Sequence, residues 1–544
     1  MAAAAPQTVF EALVATAARF GDRPFLNVLP ETAQVYGIAA GEVTYAAMLE
    51  RARALAQTYV AAGFGEGQRV GLLLQNRPAY YEHWFALNSL GVSVVPINPD
   101  LRASELEYLV AHSEMVAALV LPERVGDVRA AAGAAGCPVP VFTPGDAIPR
   151  IGAPRRGGAG LTRDSECALL YTSGTTSRPK GCVLTNTYFL NSGIWYRAQG
   201  GLMAMRDGEE RMLTPLPLFH MNAMATSTMA MLMSGGCLTI LDRFHPKTWW
   251  DSVKAARATI VHYLGVMPPM LMSAPASPAD RAHHVRFGFG AGVDRRLHAP
   301  FEARFGFPLI EAWAMTETGG GVVIAAAHEP RHVGTNCFGK PGPESQVRVV
   351  DDEGRDVAPG ENGELLVRRA GADPRHGFAR EYLKDPAATA EAWAGDWFHT
   401  GDVVRRDAEG YLCFVDRKKN VIRRSGENIS AVEVESVLQQ HPRIAAVAVA
   451  AAPDEVRGDE VFTLIVARDL PAAPEARMTL AREIVTFALQ RLAYYKAPGL
   501  VAFVDALPLT STQKIQRGVL KEQVASLLGT AAVIDTRDMK KRGA

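Results

Sequence analysis

Apolar residues recur at helical spacing near the start of the chain, at Val9, Phe10, Leu13, Val14 and Ala17, which predicts an amphipathic helix. Helix-period stretches then alternate with short apolar runs: a helix over 45–62, a strand over 70–74, a helix over 80–90 and a strand over 92–97. This alternation predicts βα units and mainly parallel sheets. Further runs of strand length lie at 117–121, 168–172, 237–241, 259–264 and 365–367, divided by loops rich in Gly, Pro and charge, notably 144–164.

From about residue 404 the pattern changes. Short, charged, hairpin-like pieces lead into a helix over 431–440, a strand over 445–450 and a helix around 480–492. The prediction is an α/β protein: a large N-terminal domain of parallel-type sheets with flanking helices, then a smaller α+β C-terminal domain. The charged residues 535–544 read as a loose tail.

The stretch 221–241 carries no charge and is long enough to cross a bilayer. It also holds Asn222, several Ser and Thr, a Gly235-Gly236 break and a β-like end, so a buried helix, turn and strand explain it better. The start of the chain lacks a basic region followed by an apolar block and does not read as a signal peptide.

At 544 residues the chain is long enough for at least two domains. Basic and acidic side chains balance at 57 each, so no net field draws it to nucleic acid or anionic lipid. The six cysteines (137, 167, 182, 237, 337 and 413) form no Cys-x-x-Cys pair and no metal-ligand spacing with histidine, which reads as reduced thiols in a cytoplasmic protein. The oligomeric state is left open, with a homodimer one option.

Chemistry concentrates first in Tyr171-Thr-Ser-Gly-Thr-Thr-Ser-Arg-Pro-Lys-Gly181, a loop launched from a strand end. Its glycines let backbone approach a phosphate, its hydroxyls and amides donate to phosphate oxygens, and Lys180 supplies countercharge. The order differs from the kinase and GTPase phosphate loop, since Lys180 precedes Gly181. The segment resembles the signature of the adenylate-forming superfamily of acyl-CoA synthetases, luciferases and peptide-synthetase adenylation domains, with Ser177 in place of a glycine.

Further motifs follow in that family's order. Pro215-Leu-Pro-Leu-Phe-His220 resembles the segment bordering the acyl pocket, and Phe289-Gly-Ala-Gly292 the small-residue loop beside adenine. Glu311-Ala-Trp-Ala-Met-Thr-Glu317 resembles the family's Tyr-Gly-x-Thr-Glu, with Trp313 for Tyr and Ala314 for Gly. Trp397-Phe-His-Thr-Gly-Asp402 and Asp416-Arg-Lys-Lys419 resemble the ribose motifs, and Ser425-Gly-Glu-Asn428 the coenzyme A channel segment, beside Lys418, Lys419, Arg423 and Arg424. Pro508 to Arg517 resembles the terminal motif that carries a lysine, here Lys514, with Gln513 for the usual glycine.

The resemblance implies an ATP-dependent carboxylate-CoA ligase that forms acyl-AMP and pyrophosphate, then acyl-CoA and AMP, using Mg²⁺. It implies an N-terminal domain, 1–416, with the ATP and acyl sites, and a mobile C-terminal domain, 417–544, pivoting at Lys419. Lys514, Lys180, Thr316, Glu317 and His220 become the catalytic candidates. The nucleotide and coenzyme A contacts fall on Thr172, Ser173, Gly174, Thr175, Thr176, Lys180, Ala291, Gly292, Glu311, Ala312, Trp313, Thr316, Asp402, Arg417, Ser425, Gly426 and Glu427. Glu317 and Thr175 are the metal candidates.

The acid is expected to meet His220, Met221, Met224, Met267, Gly290, Ala314 and Met315. These are mostly apolar and adaptable, and no acidic residue follows His220 to hold an α-ammonium group. In texture the motifs look closest to carnitine- or crotonobetaine-type, medium-chain and aryl-acid CoA ligases of bacteria. Two alternatives stay open: a stand-alone adenylation enzyme that loads a carrier protein, and a non-catalytic nucleotide-binding homologue.

Overall fold

The computed structural model describes residues 5–101, 103–152, 160–172, 179–424, 427–454, 457–492, 494–510 and 514–540. Their packing divides into two units. The first takes 5–172, 179–347 and 367–398, and the second takes 348–366 and 399–540.

The first unit is built on two sheets. One has eight strands in the order Ile324–Ala325, Leu309–Trp313, Phe287–Ala291, Ile260–Leu264, Arg211–Thr214, Cys237–Ile240, Pro24–Val28 and Gly41–Thr44. The six strands between its edges run parallel to their neighbours, and the two edge strands are antiparallel. The other has seven, in the order Glu381–Tyr382, Lys180–Thr185, Glu166–Thr172, Ser93–Pro96, Arg69–Leu73, Ala117–Val120 and Val141–Phe142. The expected βα alternation is therefore realised as parallel sheets with flanking helices.

Helix Pro78–Asn88 shows why its pattern is apolar nearly all round: Tyr80, Tyr81, Trp84, Phe85 and Leu87 are all buried, so this helix lies inside the core rather than on it. The first helix, Val9–Phe20, is capped by Thr8, whose hydroxyl accepts from the Glu11 amide, and buries Val9, Ala12 and Leu13. The uncharged 221–241 stretch is a π-helix, Asn222–Ser227, running into helix Thr228–Ser234, a left-handed Gly235 (φ 69°) and strand Cys237–Ile240. A Cβ on Gly235 would stand 2.3 Å from the Phe20 ring, so glycine is required there twice over. Among the described residues no helix is long and apolar enough to cross a membrane.

The second unit is the smaller. It carries most of a four-stranded sheet, whose hairpin Phe398–Arg406 and Leu412–Arg417 pairs Asp402 opposite Arg417. It also has a six-stranded sheet centred on Gly458–Ala467, with helices Ala431–Leu438, Pro474–Leu489 and Arg517–Leu527.

One expectation needs correction. Residues 535–540 are no loose tail: Val533–Asp535 pairs with Leu500–Phe503, Arg537 bonds Asp454, and the Lys540 ammonium bonds the Glu460 carboxylate. Glu460 is buried and also accepts from Arg424, and a buried carboxylate holds its cations because none of the three charges has water to fall back on. Of the cysteines, Cys137, Cys167, Cys182 and Cys237 are free thiols, the state expected of them.

Candidate active site

Four adjacent parallel strands of the eight-stranded sheet, Arg211–Thr214, Ile260–Leu264, Phe287–Ala291 and Leu309–Trp313, each end in a segment singled out by the sequence. Their carboxyl ends open onto loops 215–220, 265–267, 290–293 and 314–317. A crevice at the carboxyl ends of parallel strands is where open α/β sheets bind ligands.

The loops are held close by small residues and by buried polar anchors. A Cβ on Gly265 would stand 2.0 Å from the Gly292 carbonyl oxygen, and one on Gly290 would stand 2.3 Å from the Tyr263 carbonyl oxygen. Glycine at 265 lets the 265–267 and 290–293 loops touch backbone to backbone, glycine at 290 lets its strand lie close against Tyr263, and Met267, which starts the next helix, is buried. Glu311 is buried and spends both oxygens on this loop, accepting from the Gly292 amide at 2.9 Å and the Val293 amide at 2.8 Å. Burial pushes its carboxyl pKa up, and the two amides oppose that. Glu311 therefore shapes the loop that carries Ala291 and Gly292.

Trp313 closes its strand, buried and stacked on Phe338 at 6.2 Å, with Ala312 beside it opposite Ala325. Ala314 is exposed, and Met315 and Thr316 are half-buried. Thr318 pins this turn by accepting from the Met315 amide at 3.1 Å. The next carboxylate, Glu317, is buried and accepts from the Tyr382 hydroxyl at 2.9 Å. The Lys180 ammonium lies 4.8 Å from the centre of the same Tyr382 ring. Burial and the Glu317 charge drive the Tyr382 phenol pKa far up, so it stays protonated as a donor. Lys180 and Glu317, 137 positions apart by number, thus meet across one aromatic ring.

Thr172 pairs with Lys180 where the phosphate-loop hairpin opens. Ser173, Gly174, Thr175, Thr176 and Ser177 lie outside the described residues, as do Ser425, Gly426 and Gln513. The hairpin's stem is secured by Tyr108, whose hydroxyl donates to the Pro179 carbonyl at 2.9 Å, and by His112, whose Nδ1 meets the Tyr171 hydroxyl at 2.8 Å.

His220 ends its loop exposed, its ring 4.7 Å from that of Phe219. Asn76 fixes that loop: its amide donates to the Leu216 and Leu241 carbonyls at 3.1 and 2.8 Å and accepts from the Leu218 amide at 3.0 Å. Met221 is half-buried and Met224 fully buried. Asn76 and Tyr382 went unnoticed in the sequence, because neither belongs to a motif and their partners are distant in the chain.

In the second unit the Arg417 guanidinium forms an ion pair with the buried Asp402 carboxylate, N to O 2.6 Å. Lys514 keeps exposed surface, yet loss of solvent around its ammonium lowers its pKa, and the Arg417 charge lowers it further. Lys514, Arg417 and Asp402 are thus one electrostatic group. The Lys514 loop is braced by Arg517, which forks onto Glu435 at 2.6 and 2.7 Å. Lys419 sits in the single helical turn Lys418–Asn420, and Glu427 opens the short strand Glu427–Ser430. The cations beside the coenzyme A channel segment are partly spent: Arg424 is buried on Glu460, and Lys418 bonds Glu364 at 2.8 Å.

Comparison with known proteins agrees with this layout. Residues 13–382 match the family described as AMP-binding enzyme, and residues 433–514 match the AMP-binding enzyme C-terminal domain. A crotonobetaine/carnitine–CoA ligase of Salmonella enteritidis PT4 (strain P125109) is 30% identical over 510 residues, covering 90% of this chain and 96% of the relative. The o-succinylbenzoate-CoA synthetase of Bacillus subtilis, solved with its acyl-adenylate intermediate, superposes with a TM-score of 0.79 at 24% identity, over 94% of this chain and 97% of that one. The anthranilate-CoA ligase AuaEII, solved with anthranoyl-AMP, gives a TM-score of 0.80 at 22% identity, over 97% of this chain and 99% of that one. The chain belongs to the AMP-binding enzymes, the adenylate-forming family of carboxylate-CoA ligases.

Proposed function

We propose that this chain activates a small carboxylic acid with ATP and transfers the acyl group to coenzyme A in the cytoplasm. The observation that carries the reading is the convergence of Glu317, Tyr382 and Lys180 beside four strand-end loops: a carboxylate, a fixed donor and a cation at the mouth of a phosphate-type hairpin.

In the first step a carboxylate oxygen of the acid attacks the α-phosphorus of ATP, the bond to the β-phosphate oxygen breaks, and pyrophosphate leaves. Two anions must approach each other, so neutralisation and alignment matter more than a base. Lys180 and Lys514 supply cationic countercharge, and Thr316 a hydroxyl donor. The donor set fits Mg²⁺, an ion commonly held by one or two protein carboxylates together with substrate phosphates; Glu317 would hold it, and it would neutralise phosphate charge there. Asp402 and Arg417 would hold the ribose, one as acceptor and one as donor.

In the second step the thiol sulfur attacks the acyl carbon, the bond to the adenylate oxygen breaks, AMP departs and the thiol proton goes to solvent. Lys514 serves only the first step. The small domain, 417–544, turns about Lys419 between the steps and brings Gly426 to the thiol.

The test is acid-dependent pyrophosphate release over aliphatic, aryl, dicarboxylic and betaine acids, with and without coenzyme A, and acyl-CoA read by mass. Acyl-CoA formation supports the reading. Pyrophosphate release with acylation of a carrier protein alone would replace it by carrier loading.

A further inference from the structure

Beside the site lies a polar unit that the adenylation chemistry does not use. His262, on strand Ile260–Leu264, is fully buried between Tyr196, stacked at 5.7 Å, and Phe289 at 5.0 Å. Its Nε2 meets the Tyr196 hydroxyl at 3.1 Å, and its Nδ1 meets the Asn222 Oδ1 at 2.8 Å and the Ser227 Oγ at 2.9 Å. Burial pushes its pKa down to about 3, so the ring is neutral and has one N–H to give. The Asn222 carbonyl can only accept, which puts the proton on Nδ1 and leaves Nε2 to accept from the tyrosine. The Ser227 hydroxyl, which donates to the Asn222 backbone carbonyl at 3.1 Å, also lies 3.3 Å from Oδ1.

With Oδ1 engaged in this way, the Asn222 side chain is oriented, and its amide nitrogen bears two N–H donors without a partner among the described residues. Asn222 is half-buried, whereas every other residue of the π-helix Asn222–Ser227 is buried. It stands two positions after His220. Its neighbour Met221 reaches the loop past Glu317, since a Cβ on Gly319 would lie 2.6 Å from the Met221 methyl. On the other side His262 pairs in register with Phe289, the residue before Gly290. A π-turn inserted at this point is a feature that recurs at functional sites.

We infer that Asn222, oriented by His262, is a specificity-determining residue that donates a hydrogen bond to a neutral oxygen on the acyl chain, a hydroxyl, keto or ether group away from the reacting carboxylate. The inference rests on the carboxylate-CoA ligase reading. An amide N–H₂ presents positive charge, so it favours such acids over plain hydrocarbon acids and over acids with a cationic tail. His262 is a positioning residue, acting through the Asn222 carbonyl.

The experiment measures kcat/KM for acid-dependent pyrophosphate release with matched pairs, each an unsubstituted aliphatic or aryl acid and its hydroxyl- or keto-bearing analogue. The native enzyme should prefer the oxygenated member by about 10-fold, the worth of one hydrogen bond to a partly desolvated donor. Asn222→Leu should erase that preference while leaving the unsubstituted acid within about 3-fold of native. Asn222→Asp, nearly isosteric, should invert it by repelling the oxygen, and His262→Phe, which keeps the ring stack, should weaken it with an unchanged KM for ATP. A preference that survives in Asn222→Leu or Asn222→Asp would overturn the inference and leave the ligase reading intact. A native enzyme that releases pyrophosphate with no acid would overturn the ligase reading, and the inference with it.

Discussion

The Tyr382 hydroxyl donates to the Glu317 carboxylate at 2.9 Å, while the Lys180 ammonium sits over the Tyr382 ring at 4.8 Å. One side chain therefore orients the carboxylate that we propose holds the metal and flanks the cation that we propose meets phosphate. Removing the hydroxyl in Tyr382→Phe leaves Glu317 buried with one donor fewer. Second-layer partners of metal ligands are worth about 10- to 100-fold. We expect kcat/KM for ATP to fall by about 10-fold with a raised Mg²⁺ requirement, read from a magnesium titration; an unchanged magnesium midpoint would speak against this role.

Glu311 holds the Gly292 and Val293 amides with its two oxygens, so Glu311→Gln keeps one acceptor and turns an N–H₂ toward the second amide. A buried donor left without a partner costs roughly 1–3 kcal/mol. The expected outcome is a rise of about 10-fold in KM for ATP with kcat less affected. A selective loss of kcat would show that Glu311 meets the reacting groups instead.

Lys514 titrates below the ordinary lysine range because its ammonium has lost solvent and faces Arg417. In the proposed first step Lys514 acts as a cation, so adenylation should decline on the alkaline side as pH rises through this lowered pKa. Lys514→Ala should abolish acid-dependent pyrophosphate release and flatten that limb, yet spare thioester formation from presynthesised acyl-AMP. Equal loss of both half-reactions would remove Lys514 from its first-step role.

Two buried histidines set an acid limit on stability. Burial lowers the His83 pKa to about 4 and that of His262 to about 3. Both folded values lie below the unfolded value of about 6.5, so the unfolded chain binds the extra protons. Stability is therefore full above pH about 6.5 and falls as pH drops toward the folded values, by about 2 kcal/mol per histidine at pH 5. Denaturant unfolding at pH 7 and pH 5 checks this, and His262→Phe should halve the difference.

How much of this was legible in the sequence follows the range of each interaction. The strand-end loops around His220, Gly290, Thr316 and Glu317 could be read because the candidate residues are neighbours in the chain and sit where parallel strands stop. Tyr382, Asn76 and His262 could not, because their partners lie 65, 142 and 40 residues away and no periodicity links them. The C-terminal segment misled for a related reason: its charges look solvated in sequence, but Lys540 meets Glu460, which stands 80 residues earlier. The ion pairs of Lys418 and Arg424 were hidden in the same way, since the acids that neutralise them come from elsewhere in the chain.

In the proposed reaction an oxygen of the acid becomes bonded to the α-phosphorus of ATP before the acyl group moves to sulfur. The most direct measurement is a turnover with acid labelled by ¹⁸O in its carboxylate, ATP and coenzyme A, followed by mass analysis of the nucleotide. We expect one labelled oxygen in AMP for each acyl-CoA formed, because the bond between the acyl carbon and the bridging oxygen breaks and that oxygen stays on phosphorus. Label in inorganic phosphate with ADP as the product, or unlabelled AMP, would contradict it.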